Sequence, residues 1–278
     1  MIVDAHTHAF PENLAARALA KLAAGSHTVP FADGTARGLC ASMQSAGIDA
    51  SVVLPVATSA HSVPAINRLS EELNGKDGLV WLGGMHPAFE NVEEEVKSLA
   101  SHGVRGIKLH PVFQDTAFDA PETLRILEKC AKYGLTVVTH AGFDVGFPGV
   151  DRCSPRMIRH ALAAVPEVTL VLAHMGAWRD WDAAADLLAD SGVYIDTSFS
   201  LGKMTPAPDA PYTAEELQML TPERFTAQVR VFGADHTLFG TDCPWGDQKA
   251  TLDAFLALPL TEEEKRAILY ENAVKLFL

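Results

Sequence analysis

The stretch DAHTH, residues 4 to 8, carries two histidines two positions apart, directly after Ile2 and Val3. On an extended strand, residues two apart project to the same side, so His6 and His8 would face one point, the geometry a chelating pair requires. Asp4 has the same parity and is expected on the same side, as an acceptor that orients one imidazole. Neutral imidazole suits a divalent transition metal such as zinc, and a carboxylate would add a harder oxygen ligand. An ion held with one position open lowers the pKa of water from about 15.7 to about 7, which allows hydrolysis at neutral pH. An HxH pair alone is a weak signal, because a hydrogen-bonded pair of core histidines reads the same way.

The pair has company. GGMHP, GIKLHP, VVTHAG, LVLAHMG and LFGTDCPW place His86, His110, His140, His174 and Asp242 at the ends of short runs rich in Val, Ile and Leu. Such runs recur at 2–8, 50–56, 79–87, 104–111, 135–142, 168–176, 193–199 and 237–245, which makes eight expected strands. Amphipathic segments of helical period lie between them, among them VEEEVKSLASHG, PETLRILEKCAKYG and WDAAADLLADSG, each ending in a glycine suited to a helix C-cap. Near-continuous apolar strands alternating with helices imply a parallel sheet covered by helices. Eight such units predict an α/β protein of the (β/α)8 TIM-barrel type, read as a single domain over residues 1–278. A doubly wound open sheet is the alternative, but no GxGxxG or GxxxxGK[ST] loop follows the first strand. In a (β/α)8 barrel the C-terminal strand ends build the active site, which is where these histidines fall.

Composition narrows the function classes. A net charge of −13 without a cluster of Lys and Arg argues against nucleic acid or an anionic membrane as partner. Hydrophobic residues make up 48% of the chain and charged residues 21%, enough for a large core. Cys40, Cys130, Cys153 and Cys243 form no CxxC, so free thiols in a cytoplasm are expected. No apolar run is long enough to cross a bilayer, and a strand starting at residue 2 leaves no room for a signal peptide. Assembly into a homo-oligomer is left open. The Pro-rich stretch SLGKMTPAPDAPYTAEELQ after the seventh strand is the candidate lid, and the tail TEEEKRAILYENAVKLF reads as a closing helix with Thr261 and Glu264 as a capping box.

Taken in order, DAHTH, GIKLHP, VVTHAG, LVLAHMG and LFGTDCPW resemble the amidohydrolase superfamily, in particular the amidohydrolase-related branch that includes aminocarboxymuconate-semialdehyde decarboxylase. The resemblance runs from residue 3 to the ending YENAVKLF. It implies that His6, His8 and His140 bind a metal ion and that Asp242 binds it or takes the proton from its water. It implies that His174 sits beside the ion as acid/base. Binuclear relatives carry an N-carboxylated lysine on strand four; Lys108 lies two residues before His110, deeper in its strand, and is read here as a buried or substrate-facing ammonium. One divalent ion is expected, Zn2+ first, with Mn2+ or another transition metal as the alternative. His86 and His110 are expected to line the pocket, touching substrate or metal ligands.

Lesser candidates are Arg152 and Arg156, placed to hold a substrate carboxylate, and Trp178, Trp245 and Phe143 as apolar walls. Cys243 is not expected to be a nucleophile. The leading functional expectation is a metal-dependent hydrolase of a small amide, ester or lactone, with an organic acid as the expected substrate. The alternative is a non-oxidative decarboxylase of an unsaturated or aromatic acid using the same residues. A barrel that only binds a metal or small ligand comes third.

Overall fold

A computed structural model describes residues 1–278, and all eight runs form strands. They are β1 (Val3–Thr7), β2 (Ala50–Val53), β3 (Leu79–Trp81), β4 (Gly83–Gly84), β5 (Gly106–Leu109), β6 (Thr136–Thr139), β7 (Leu170–Leu172), β8 (Tyr194–Asp196) and β9 (Thr237–Leu238). The third run is interrupted at Leu82, which separates a β1-β2-β3 sheet from a β4-to-β9 sheet, with every neighbouring pair parallel. Backbone bonds carry the ring past that break and close it at the other end: Leu82 N–H donates to Val53 O at 3.0 Å and Ala5 N–H to Phe239 O at 2.7 Å. Asp242 N–H donates to His6 O at 2.8 Å and His8 N–H to Cys243 O at 2.6 Å, so the closing seam carries the expected metal ligands.

Strand alternation divides the apolar residues between two cores. Ile107, Leu109, Val137, Leu170, Leu172 and Ile195 belong to the layer between strands and helices. Val52, Leu54, Leu82, Val138, Val171 and Leu238 fill the barrel, together with Ala273 and Phe277 of the last helix, Asn272–Phe277. Thr261 and Glu264 form the expected capping box ahead of that segment.

Asp4 departs from expectation. Asp4 pairs with Ser51 but Thr7 with Val53, so three steps on β1 match two on β2. The extra residue is a bulge that resets the alternation. Val3 and Ala5 join the barrel interior, and Asp4 bonds instead to Thr241 and to Gln248 at the start of the helix Gln248–Leu256. It therefore does not share a face with His6 and His8, because strict alternation fails between them.

Two loops over the mouth clasp one another. In the excursion after β8, Leu201 bridges to Leu220 and Lys203 to Gln218. The loop after β1 meets it: Ala207 N–H donates to His27 O at 2.8 Å, Val29 N–H to Thr205 O at 3.3 Å, and Tyr212 Oη to Ser26 O at 2.5 Å. Arg179, its guanidinium 4.6 Å from the Trp178 ring centre, donates to the carbonyls of Glu216 and Gln218. No helix is long and apolar enough to cross a membrane.

Candidate active site

His6 Nε2 lies 3.3 Å and His8 Nε2 3.1 Å from the same atom, Asp242 Oδ1. The partners on the far sides of the rings assign the protons. His6 Nδ1–H donates to Asp196 Oδ2 at 2.7 Å, and His8 Nδ1–H donates to Leu54 O at 2.8 Å. Each neutral ring carries one proton, so both Nε2 atoms face the carboxylate as lone pairs. Two lone pairs and a carboxylate oxygen converge here, an arrangement that suits a cation, with the Lys108 ammonium 3.5 Å from His6 Nε2 as the donor beside it. Burial drives the His6 pKa well below its ordinary value, helped by nearby Lys108. Burial would raise the Asp242 carboxyl, but charged neighbours, the buried Lys108 ammonium among them, hold it below its usual range.

His140 and His174 repeat the pattern. His140 Nε2–H donates to Phe143 O at 2.9 Å, and His174 Nδ1–H to Ser198 O at 3.1 Å. Their remaining nitrogens, His140 Nδ1 and His174 Nε2, stand 3.0 Å apart as two lone pairs. The His174 ring centre is 4.7 Å from that of His140 and 5.2 Å from that of His6, which ties the two sets together. His174 and Asp242 both occupy the left-handed backbone region, at φ 62° and 64°, where residues other than glycine are uncommon.

Lys108 is fully buried on β5 with Nζ 3.5 Å from His6 Nε2. Burial lowers its pKa to about 8, against the opposing pull of Asp196 and Asp242. His110 does not join His6 and His8. It stacks on His140 with ring centres 4.3 Å apart and its Nε2 is 3.4 Å from Asp144 Oδ2. His110, His140 and Asp144 thus form a neighbouring group, while His6, His8 and Asp242 form the tightest one. His86 is partly exposed, and its Nδ1 accepts from Ala88 N–H at 3.1 Å.

Arg152 pairs with Asp115 at 2.9 Å on the surface, and Arg156 is exposed. Phe143 is also exposed and contributes its carbonyl rather than its ring. Trp178 is buried and donates to Phe199 O at 3.2 Å. Trp245 lines a side cavity of about 170 Å³ with Phe199, Met204 and Met219. Burial pushes the Cys243 thiol pKa up, which disfavours a nucleophile there. Asp4 accepts from His6 N–H at 3.2 Å, Thr241 N–H at 3.0 Å and Gln248 Nε2 at 2.7 Å, and so braces the loop that presents Asp242. Asp196 and Ser198, in VYIDTSF, escaped the sequence reading. The signal was an aspartate closing an apolar run, as Asp242 does. Asp144 escaped as well, although it lies one helical turn's spacing after His140 in THAGFD.

A family model described as Amidohydrolase matches residues 3–278. No curated protein matches. Among solved structures, an uncharacterized TIM-barrel protein from Bordetella bronchiseptica is similar at 19% identity and a TM-score of 0.71, over 99% of this chain and 97% of its own. A 2,6-dihydroxybenzoate decarboxylase from Rhizobium is similar at 15% identity and TM-score 0.67, over 99% and 98%. A probable 2-pyrone-4,6-dicarboxylic acid hydrolase from Acinetobacter baumannii, with citric acid bound, is similar at 15% identity and TM-score 0.63, again over 99% and 98%. These likenesses establish the barrel fold.

Proposed function

Because the chain belongs to the amidohydrolase family, whose members are metal-dependent enzymes, we propose that it hydrolyses a small amide, ester or lactone, with an organic acid as the expected substrate. The observation that carries the reading is the meeting of two imidazole lone pairs and a carboxylate at Asp242 Oδ1, at 3.3 and 3.1 Å. One divalent ion, zinc first and manganese or another transition metal second, would be held by His6, His8, His140 and Asp242. When bound it would polarise the carbonyl and make water a nucleophile at neutral pH.

The chain's own groups do the rest. Asp242 would hold the ion or take the proton from water. The proton taken from water would reach the leaving group through His174, which is anchored by Nδ1–H and presents its Nε2 lone pair to receive and then release it. The Lys108 ammonium places positive charge beside His6, where it offsets developing negative charge in a site largely closed to solvent. Four free cysteines fit a reducing compartment, and the cytoplasm is the expected location.

The same groups would serve a non-oxidative decarboxylase, the reading favoured by the likeness to the Rhizobium protein, whereas the Acinetobacter likeness favours hydrolysis. Turnover of candidate lactones, amides and carboxylated acids in H2(18)O separates the two. Label in the product supports hydrolysis, and CO2 release without label sinks it. His8→Ala is expected to abolish metal binding at this group; unchanged metal content by elemental analysis would overturn the ligand assignment.

A further inference from the structure

Asp196 is fully buried and touches two of the site histidines at once. Its Oδ2 takes the Nδ1–H of His6 at 2.7 Å. Its Oδ1 faces three donors: His174 N–H at 3.1 Å, Ser198 N–H at 3.0 Å and the Ser198 hydroxyl. The division of labour between the two oxygens matters. Oδ1 is held by backbone groups that can only donate, so the carboxylate cannot turn, and Oδ2 is left to meet His6 alone. On the opposite side of that ring, Lys108 Nζ stands 3.5 Å from Nε2 and can only donate to it. Asp242 Oδ1, 3.3 Å from Nε2, would accept a proton there, but the contact to the immobilised Asp196 Oδ2 is much shorter at 2.7 Å, so the proton sits on Nδ1 and the lone pair on Nε2.

We infer that Asp196 is a positioning residue that fixes His6 in the Nδ1–H tautomer and thereby keeps Nε2 free as a ligand. The inference about the tautomer stands on this chain alone; its consequence for metal rests on the ligand assignment proposed above. The substitution Asp196→Asn gives a result that a merely structural role would not. Three donors around the Oδ1 position hold the amide oxygen there, which turns the NH2 toward His6 Nδ1. A donor facing Nδ1 drives the imidazole proton to Nε2, where it blocks the ion. Asp196→Ala removes the carboxylate and leaves His6 Nδ1 facing the Ser198 hydroxyl, 3.0 Å away, which can donate or accept, so the ring is free to take either form. Ser198→Ala keeps Asp196 and the residue-198 carbonyl, and so keeps the tautomer.

Long-range 1H–15N spectra of the labelled full-length chain, stripped with chelator, read the tautomer at His6, assigned through His6→Gln. Competition with a chromophoric chelator then reads zinc affinity in the same variants. The expected result is Nδ1–H at His6 in the parent and in Ser198→Ala, and Nε2–H in Asp196→Asn, whose zinc affinity falls at least ~10–100-fold. Retention of Nδ1–H in Asp196→Asn, or zinc affinity within about threefold of the parent, would overturn the inference. If the parent chain binds no zinc at His6 and His8, the proposed function fails, while the tautomer spectra still decide the role of Asp196.

Discussion

His174 is held more tightly than a freely titrating acid/base group needs to be. Its Nδ1–H is bonded to Ser198 O, its backbone N–H to Asp196, its carbonyl accepts from Trp181 Nε1 at 3.0 Å, and its φ of 62° is one that most residues avoid. Backbone kept in such a region costs about 1–3 kcal/mol and persists only where its surroundings enforce it. His174→Ala is expected to retain metal and lose turnover by about 10²–10⁴-fold, and full activity in a steady-state assay would remove its acid/base role. The histidines and Asp242 were legible in the sequence because each closes an apolar run. Asp196 and Ser198 were harder to find, since their role appears only when the end of β8 reaches the end of β1 past β9, across 190 residues of sequence. Asp4 was misplaced because nothing in DAHTH announces a bulge.

Elements meet at the mouth by close backbone approach, and Gly142 shows how close. It has φ 81°, and a Cβ there would lie 2.4 Å from both N and O of Trp178. Gly142 and Trp178 bridge in parallel just beyond β6 and β7, with Trp178 N–H donating to Ala141 O at 2.8 Å and Phe143 N–H to Trp178 O at 3.0 Å. Phe143 O is in turn the acceptor for His140. Gly142→Ala is therefore expected to destabilise the fold by about 3 kcal/mol and to disturb His140; urea unfolding together with zinc affinity checks both. Strand positions were readable because parallel strands buried on both sides are written in Val, Ile and Leu. The break at Leu82 and the clasp between residues 26–29 and 205–212 were not, because both depend on what lies across the mouth.

Across the whole molecule, burial of imidazoles sets the response to acid. Burial lowers the pKa of His6, His140 and His174, and takes His110 down to about 3. Above about pH 6.5 these groups are neutral in the folded and unfolded chain alike. Below it, the unfolded chain binds protons that the folded one refuses, so stability falls as pH drops toward each folded value. His110 alone accounts for roughly 1.4 kcal/mol per pH unit over that window. Asp4 acts in the opposite sense: burial raises it to about 7, so its contribution is present at low pH and lost as pH rises through that value. One carboxyl against four imidazoles leaves a net loss in acid. Chelator-treated protein is expected to show a lower urea midpoint at pH 5.5 than at pH 7.5, and equal midpoints would refute the account.

The seam between β9 and β1 also governs the order in which the molecule can be made. His6 and His8 are synthesised more than 200 residues ahead of Asp242, whose N–H bonds to His6 O. Until then β1 has an unpaired edge, the barrel interior lacks Phe277, and the two histidines have no carboxylate to share an ion with. A nascent or interrupted chain therefore presents a sticky edge strand and only part of the proposed ion site. On the proposed ligand assignment, loading with metal would be a late event, coupled to the step that closes the ring.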